Sequence, residues 1–238
     1  MNRIVILLLL LATSLYAADN EVYIDQSGAT SNLDIEQVGG SGNIIGGSDA
    51  TAGASNMTPL DLDGATMTLD VLQKGSTNKF LGDIWADNYT GYFSFIGDSN
   101  TFNMSTDETN ATGADGSNVN VQVTGNTNTM TLNHAMTALA ANLDLDWIVQ
   151  GGGNSITASI DVDGATNYMD IDGNDNTVTY DGDGYAGGYF YLDHTGGSRT
   201  FNIDQESTQD NDWLKITSSG SNGTVCVTQS DSGNSFVC

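Results

Sequence analysis

Asparagine recurs along this chain with a beat: Asn32, Asn56, Asn78, Asn100, Asn128, Asn154 and Asn176, then Arg199 in the same place, then Asn222, with 22 to 28 residues between marks. A period in that range belongs to stacked repeat architectures, in which each repeat is a supersecondary unit that cannot bury its apolar face alone. A second beat falls between these marks, at Asn43, Met67, Asn88, Asn118, Asn142, Asn167, Gly188, Asn211 and Asn234. Two beats per period predict a coil with two similar halves.

After the main marks come short segments with apolar residues two apart, such as Thr101-Phe102-Asn103-Met104, Thr129-Met130-Thr131-Leu132, Thr177-Val178-Thr179-Tyr180 and Thr200-Phe201-Asn202-Ile203. A period of two is that of a strand with one buried face. The second half coil supplies another strand, as in Val119 to Val123, Leu145 to Val149 and Trp213 to Ile216. Before the marks sit Gly-rich corners, among them Gly97-Asp-Ser-Asn100 and Gly125-Asn-Thr-Asn128. Gly and Asn accept positive φ at low cost, so each corner reads as a tight turn. The expected fold is all-β, a β-solenoid of about nine stacked strand-turn-strand coils and on the order of 40 Å tall. Turn asparagines at equivalent sites, here Asn78, Asn100, Asn128, Asn154, Asn176 and Asn222, are expected to form a ladder of side-chain amides along the stack. Two segments, Ser105 to Ser117 and Asn133 to Ala141, lengthen their half coils and are expected to project as loops, the second with one helical turn.

Residues 1–17 combine Arg3, an apolar run from Ile4 to Ala12 and a small residue at Ala17. That arrangement reads as a secretory signal peptide, too short to span a membrane, which leaves residues 18–238 as a secreted, extracellular solenoid domain. The 30 acidic residues against 5 basic ones give a formal net charge of −25, which excludes nucleic acid as a partner. Cys226 and Cys238 are the only cysteines, and an exported chain permits a disulfide between them. Alternation places Cys226 facing outward if Val225 and Val227 face inward, so intramolecular pairing and free or intermolecular thiols both stay open.

The first mature stretch reads Tyr23-Ile-Asp-Gln26-Ser-Gly-Ala-Thr-Ser-Asn32 and then Leu33-Asp-Ile-Glu-Gln37-Val-Gly-Gly-Ser-Gly-Asn43. It resembles the curlin repeat of curli fibre subunits, in which a Gln follows an alternating strand and Gly then Asn mark the turn. The pattern returns at Leu69-Asp-Val-Leu-Gln73-Lys-Gly-Ser-Thr-Asn78, at Phe201-Asn-Ile-Asp-Gln205 and at Val225-Cys-Val-Thr-Gln229-Ser-Asp-Ser-Gly-Asn234. The resemblance implies an exported subunit that polymerises into amyloid-type fibres for adhesion and biofilm matrix, at a cell surface or beyond it. It also implies ladder positions at Gln26, Asn32, Gln37, Asn43, Gln73, Asn78, Gln205, Gln229 and Asn234. The middle coils depart from the pattern, replacing Gln with other residues and varying in length.

Other features carry rival readings. Carboxylates at Asp161, Asp163, Asp170, Asp172, Asp175, Asp181 and Asp183 alternate with Gly, a vocabulary shared with calcium-binding repeats, but no loop completes such a motif and no metal or cofactor is expected. Outward pairs Thr101/Asn103, Thr129/Thr131, Ser155/Thr157, Thr177/Thr179 and Thr200/Asn202 resemble the ice-binding faces of some antifreeze proteins, and Thr is also a good strand residue. Tyr92, Tyr189 and Tyr191 are outward aromatics suited to a sugar or surface ligand, or to cross-strand packing. His134 and His194 lie in no ligand or nucleophile motif, and enzyme activity is not expected. The leading expectation is a self-associating fibre subunit or accessory. A non-polymerising adhesin or virion-associated binding protein is the alternative, with an ice-binding protein third.

Overall fold

The computed structural model describes residues 21–28, 30–41, 43–46, 60–106, 116–134, 140–184, 187–207 and 212–230. Among them there is no helix, and 18 strands pair in parallel into a β-solenoid. The strands form two walls. The front wall stacks Thr30–Ser41, residues 66–76, residues 88–96, Asn118–Thr124, Asp144–Gln150, Thr166–Asp172, Tyr189–Thr195 and Trp213–Ser219. The back wall stacks Glu21–Tyr23 with Asp25–Ser27, Ile44–Gly46 with residues 60–64, residues 79–86, Thr101–Thr106, Thr129–His134, Ser155–Asp163, Thr177–Gly184, Arg199–Ser207 and Gly223–Ser230.

Because alternate side chains point to opposite faces, in-register stacking turns each inward position into a column. One front-wall column runs Leu33, Leu69, Gly91, Val119, Leu145, Asn167, Phe190 and Leu214. The chain returns to this position seven times, so the stack has about seven turns rather than nine. The difference arises at the N-terminal end, where Asn32 lies inside a strand and Asn43 holds the corner that repeats.

The two walls press their inward columns together into one core. Phe102 sits at its centre, stacked on Phe80 at 5.4 Å and edge-on to Phe93, Phe95 and Trp147 at 5.1, 5.5 and 6.0 Å. Each such ring buries enough apolar area that truncation to Ala costs about 3–5 kcal/mol. Inward glycines make room for some of the rings: a Cβ on Gly91 would lie 2.6 Å from the Phe93 ring two residues along the same strand.

From Gly75 onward the corner from the front wall to the back wall has one construction. Gly75, Gly97, Gly125, Gly151, Gly173, Gly196 and Gly220 all have φ between +122° and +153°. At Gly125 a Cβ would come within 2.1 Å of the carbonyl oxygen of Gly97 in the coil below, so both backbone angle and stacking distance demand glycine. Two residues later Thr77, Ser99, Thr127, Gly153, Asp175, Ser198 and Asn222 take left-handed φ of 51° to 69°, completing the turn. The helical turn expected within Asn133 to Ala141 falls mainly outside the described residues, as does most of the Ser105 to Ser117 insertion.

Candidate functional site

The corner asparagines form a ladder. The Oδ1 of Asn100 accepts from the backbone N–H of Asn78 at 3.0 Å, Asn128 does the same for Asn100 at 2.8 Å, Asn154 for Asn128 at 2.9 Å and Asn176 for Asn154 at 2.9 Å. The amide Nδ2 of Asn100 and of Asn154 donates back to the carbonyl of its own corner glycine, at 2.7 and 2.9 Å. The Asn100 and Asn154 side chains thus each satisfy one buried backbone donor of the preceding coil and one acceptor of their own, while Asn128 Nδ2 donates to Asn154 Oδ1 at 3.0 Å. Asn43 holds the same position at the N-terminal end and donates to Gly39 at 3.4 Å. The ladder ends where Arg199 takes the column, because a guanidinium has no acceptor to offer Asn176.

Glutamine occupies a different inward column near the strand ends of some coils. On the front wall Gln37 and Gln73 are buried, with Gln73 Nε2 donating to Gln37 Oε1 at 2.8 Å. Both also donate to the backbone of the following strand, Gln37 to Ile44 and Gln73 to Lys79, each at 3.2 Å. Later coils fill this column with Phe95, Val123, Val149, Ile171, His194 and Ser218. His194 replaces the amide chemistry with its ring: Nε2–H donates to Gly173 O and Nδ1 accepts from the Ser218 hydroxyl, each at 3.1 Å. Its removal from water pushes its pKa below the ordinary imidazole value, the nearby Arg199 charge acting the same way. On the back wall Gln205 and Gln229 pair in register, and Gln26 at the other end bonds Ser31 at 2.7 Å.

Two expected ladder positions are corrected. Asn32 is an exposed, outward residue of Thr30–Ser41, paired with Thr68 of the next strand. The Asn beat misplaces it because the first coil turns at Asn43. Asn222 is exposed at the left-handed position of its corner, with φ of 59°, and Gly223 holds the ladder column beside Arg199. The second beat is not one structural position either: Asn88 and Asn118 face outward, Asn142 turns a corner with φ of 64°, and Asn167 is buried in the core, donating to Tyr180 Oη at 2.7 Å. Asn56, Asn234 and Cys238 lie outside the described residues. Cys226 is disulfide-bonded.

At the C-terminal end of the described stack, the last coil is less covered than the coil beneath it. Val225 and Val227 point inward on the last strand yet are 41% and 42% exposed, whereas Phe201 and Ile203, directly beneath them, are 0% and 2% exposed. Leu214 and Ile216 on the front wall are only partly buried. An apolar inner face and a strand edge are thus presented together. At the N-terminal end Val22, Ile24, Leu33 and Ile35 are also partly buried, and they repeat the same alternation.

The outward faces differ between walls. The back wall carries the expected small polar columns in register, Thr101, Thr129, Ser155, Thr177, Thr200 and Thr224 beside Asn103, Thr131, Thr157, Thr179, Asn202 and Cys226. Further along the same strands Asp161 faces Asp183, and Asp181 faces Asp204. The front wall carries the aromatics, and here Tyr168, Trp213 and Lys215 join the predicted Tyr189 and Tyr191. Register was needed to find them, since residues over 20 apart in sequence become neighbours. Among the described residues no group of three His, Cys, Asp or Glu side chains is gathered for a metal ion, and no helix is long and apolar enough to cross a membrane. Compared with known proteins, the chain matches no family model, no curated protein and no solved structure.

Proposed function

We propose that this chain is a secreted structural protein that associates end to end through its terminal coils, as a curli-like fibre subunit or its accessory in adhesion and biofilm matrix. The observation that carries the reading is the exposed last described coil, where Val225 and Val227 stay exposed at positions buried in the coil beneath. A terminal strand with an exposed apolar inner face is a template for another strand, and natural β-proteins that remain monomeric cover such faces. The inward amide columns add support, because the curlin-type glutamines stand at Gln26, Gln37 and Gln73 towards one end and Gln205 and Gln229 at the other.

The test is electron microscopy and thioflavin fluorescence of the purified protein lacking residues 1–17, with a Val225→Lys/Val227→Lys variant alongside. The parent is expected to form long fibres above a threshold concentration, and the variant to stay monomeric with an unchanged circular dichroism spectrum. A parent that remains monomeric at every concentration would sink the proposal and leave a monomeric adhesin as the better reading.

A further inference from the structure

The outward face of the front wall holds a second feature, independent of the coil ends. Over its last three coils two adjacent columns read Thr166, Tyr189, Trp213 and Tyr168, Tyr191, Lys215. Tyr189 and Trp213 are 49% and 45% exposed, with rings 6.3 Å apart and inclined at 47°, so neither covers the other's face. Tyr168 and Tyr191 stack at 5.0 Å and 7°, and the Lys215 ammonium lies 4.8 Å above the Tyr191 centroid. Carboxylates border these rings: Asp144 and Asp146 one coil below, Asp170 and Asp193 in the next outward column. Tyr191 Oη donates to Asp193 at 3.4 Å.

From this arrangement we infer a binding site for a linear polysaccharide that bears free amines. Exposed aromatic faces take the C–H face of a pyranose ring, and carboxylates accept from its hydroxyls and pair with its ammonium groups. Lys215 over Tyr191 is an internal instance of a cation held on this surface. Four carboxylates against one ammonium, on a chain of net charge −25, favour a cationic glycan and repel uronates or sulfated sugars. The coils repeat every ~4.8 Å, close to the length of one pyranose unit, so a chain laid along the stack meets one rung per sugar. The face points away from the coil ends, so binding does not depend on fibre formation and survives its failure.

The test is calorimetric titration of the folded chain lacking residues 1–17 with a β-1,4-linked glucosamine hexamer, in mildly acidic buffer where the amines are protonated. The fully N-acetylated hexamer and an oligogalacturonate serve as comparators. The glucosamine hexamer is expected to bind, with the acetylated one at least about tenfold weaker and the uronate silent. A Tyr189→Ala/Trp213→Ala variant should lose about tenfold in affinity, and Asp146→Asn/Asp193→Asn a similar factor, with circular dichroism spectra like the parent's. Asp61→Asn/Asp83→Asn removes the same charge from the back wall and should stay within about twofold of the parent. Absence of binding, equal affinity for the acetylated hexamer, unchanged affinity in the aromatic variant, or an equal loss in the back-wall variant would each overturn the assignment.

Discussion

At the scale of the residue, the asparagine column separates two uses of the same side chain. Asn154 accepts from the backbone N–H and the Nδ2 of Asn128 and donates to Gly151, all within a buried corner. Substituting Ala removes these partners while the backbone groups stay buried, and each orphaned group costs about 1–3 kcal/mol. Asn32 is exposed on a strand, where the same change should alter stability by no more than about 0.5 kcal/mol. Urea unfolding of Asn154→Ala and Asn32→Ala side by side checks this, and equal losses would show that the ladder has no special role. The corners from Asn78 to Asn176 were legible because Gly, a left-handed residue and Asn recur there in fixed order. Asn222 was not, because composition marks a turn to within a residue or two, whereas a ladder needs the one residue whose side chain turns inward; Asn32 was not, because the first coil turns only at Asn43 and leaves Asn32 inside a strand.

At the scale of the element, the back-wall strands pair acid with acid. Burial raises the Asp181 carboxyl pKa above its ordinary value, followed by the neighbouring charges of Asp204 and Asp183; Asp161 is raised by burial and then by Asp183 and Asp163. A carboxyl whose folded pKa lies above its unfolded value binds protons more readily in the stack. Its contribution therefore grows as pH falls through the folded value and is lost as pH rises. His194 acts in the opposite sense: lowered by burial, it stabilises the fold above its ordinary value of 6.5 and loses that contribution as pH falls through its folded value. Thermal unfolding between pH 7 and 4 should therefore show a His194 loss first and a carboxylate gain after it. Asp161→Asn/Asp181→Asn should stabilise the stack at neutral pH and reduce the gain, and His194→Gln should remove the early loss. A pH profile identical in all three proteins would contradict both assignments. Strand periodicity in the sequence identified which residues face outward, but not that these acids meet, since that depends on an inter-coil register altered by coils of unequal length.

At the scale of the whole molecule, the described stack begins and ends on the same wall. Its first back-wall residues, Val22-Tyr-Ile24-Asp-Gln26, carry the inward pattern of its last, Val225-Cys-Val227-Thr-Gln229. End-to-end association in the register the chain uses internally would set Val22 on Val225, Ile24 on Val227 and Gln26 on Gln229. Apolar residues would then meet apolar ones, and two amides would extend a ladder like that of Gln37 and Gln73. Among the described residues the front wall at such a junction is one strand short, so the back wall is where register can be tested. Strands one coil apart bring paired Cα atoms to about 4.8 Å, within the range a disulfide spans. An Ile24→Cys protein mixed with a Val227→Cys protein under assembling conditions and then oxidised should yield covalent dimers. Ile24→Cys with Leu214→Cys, which join different walls, should not. Crosslinking of both pairs to the same extent would mean association without register, and a fibre built some other way than by continuing the solenoid.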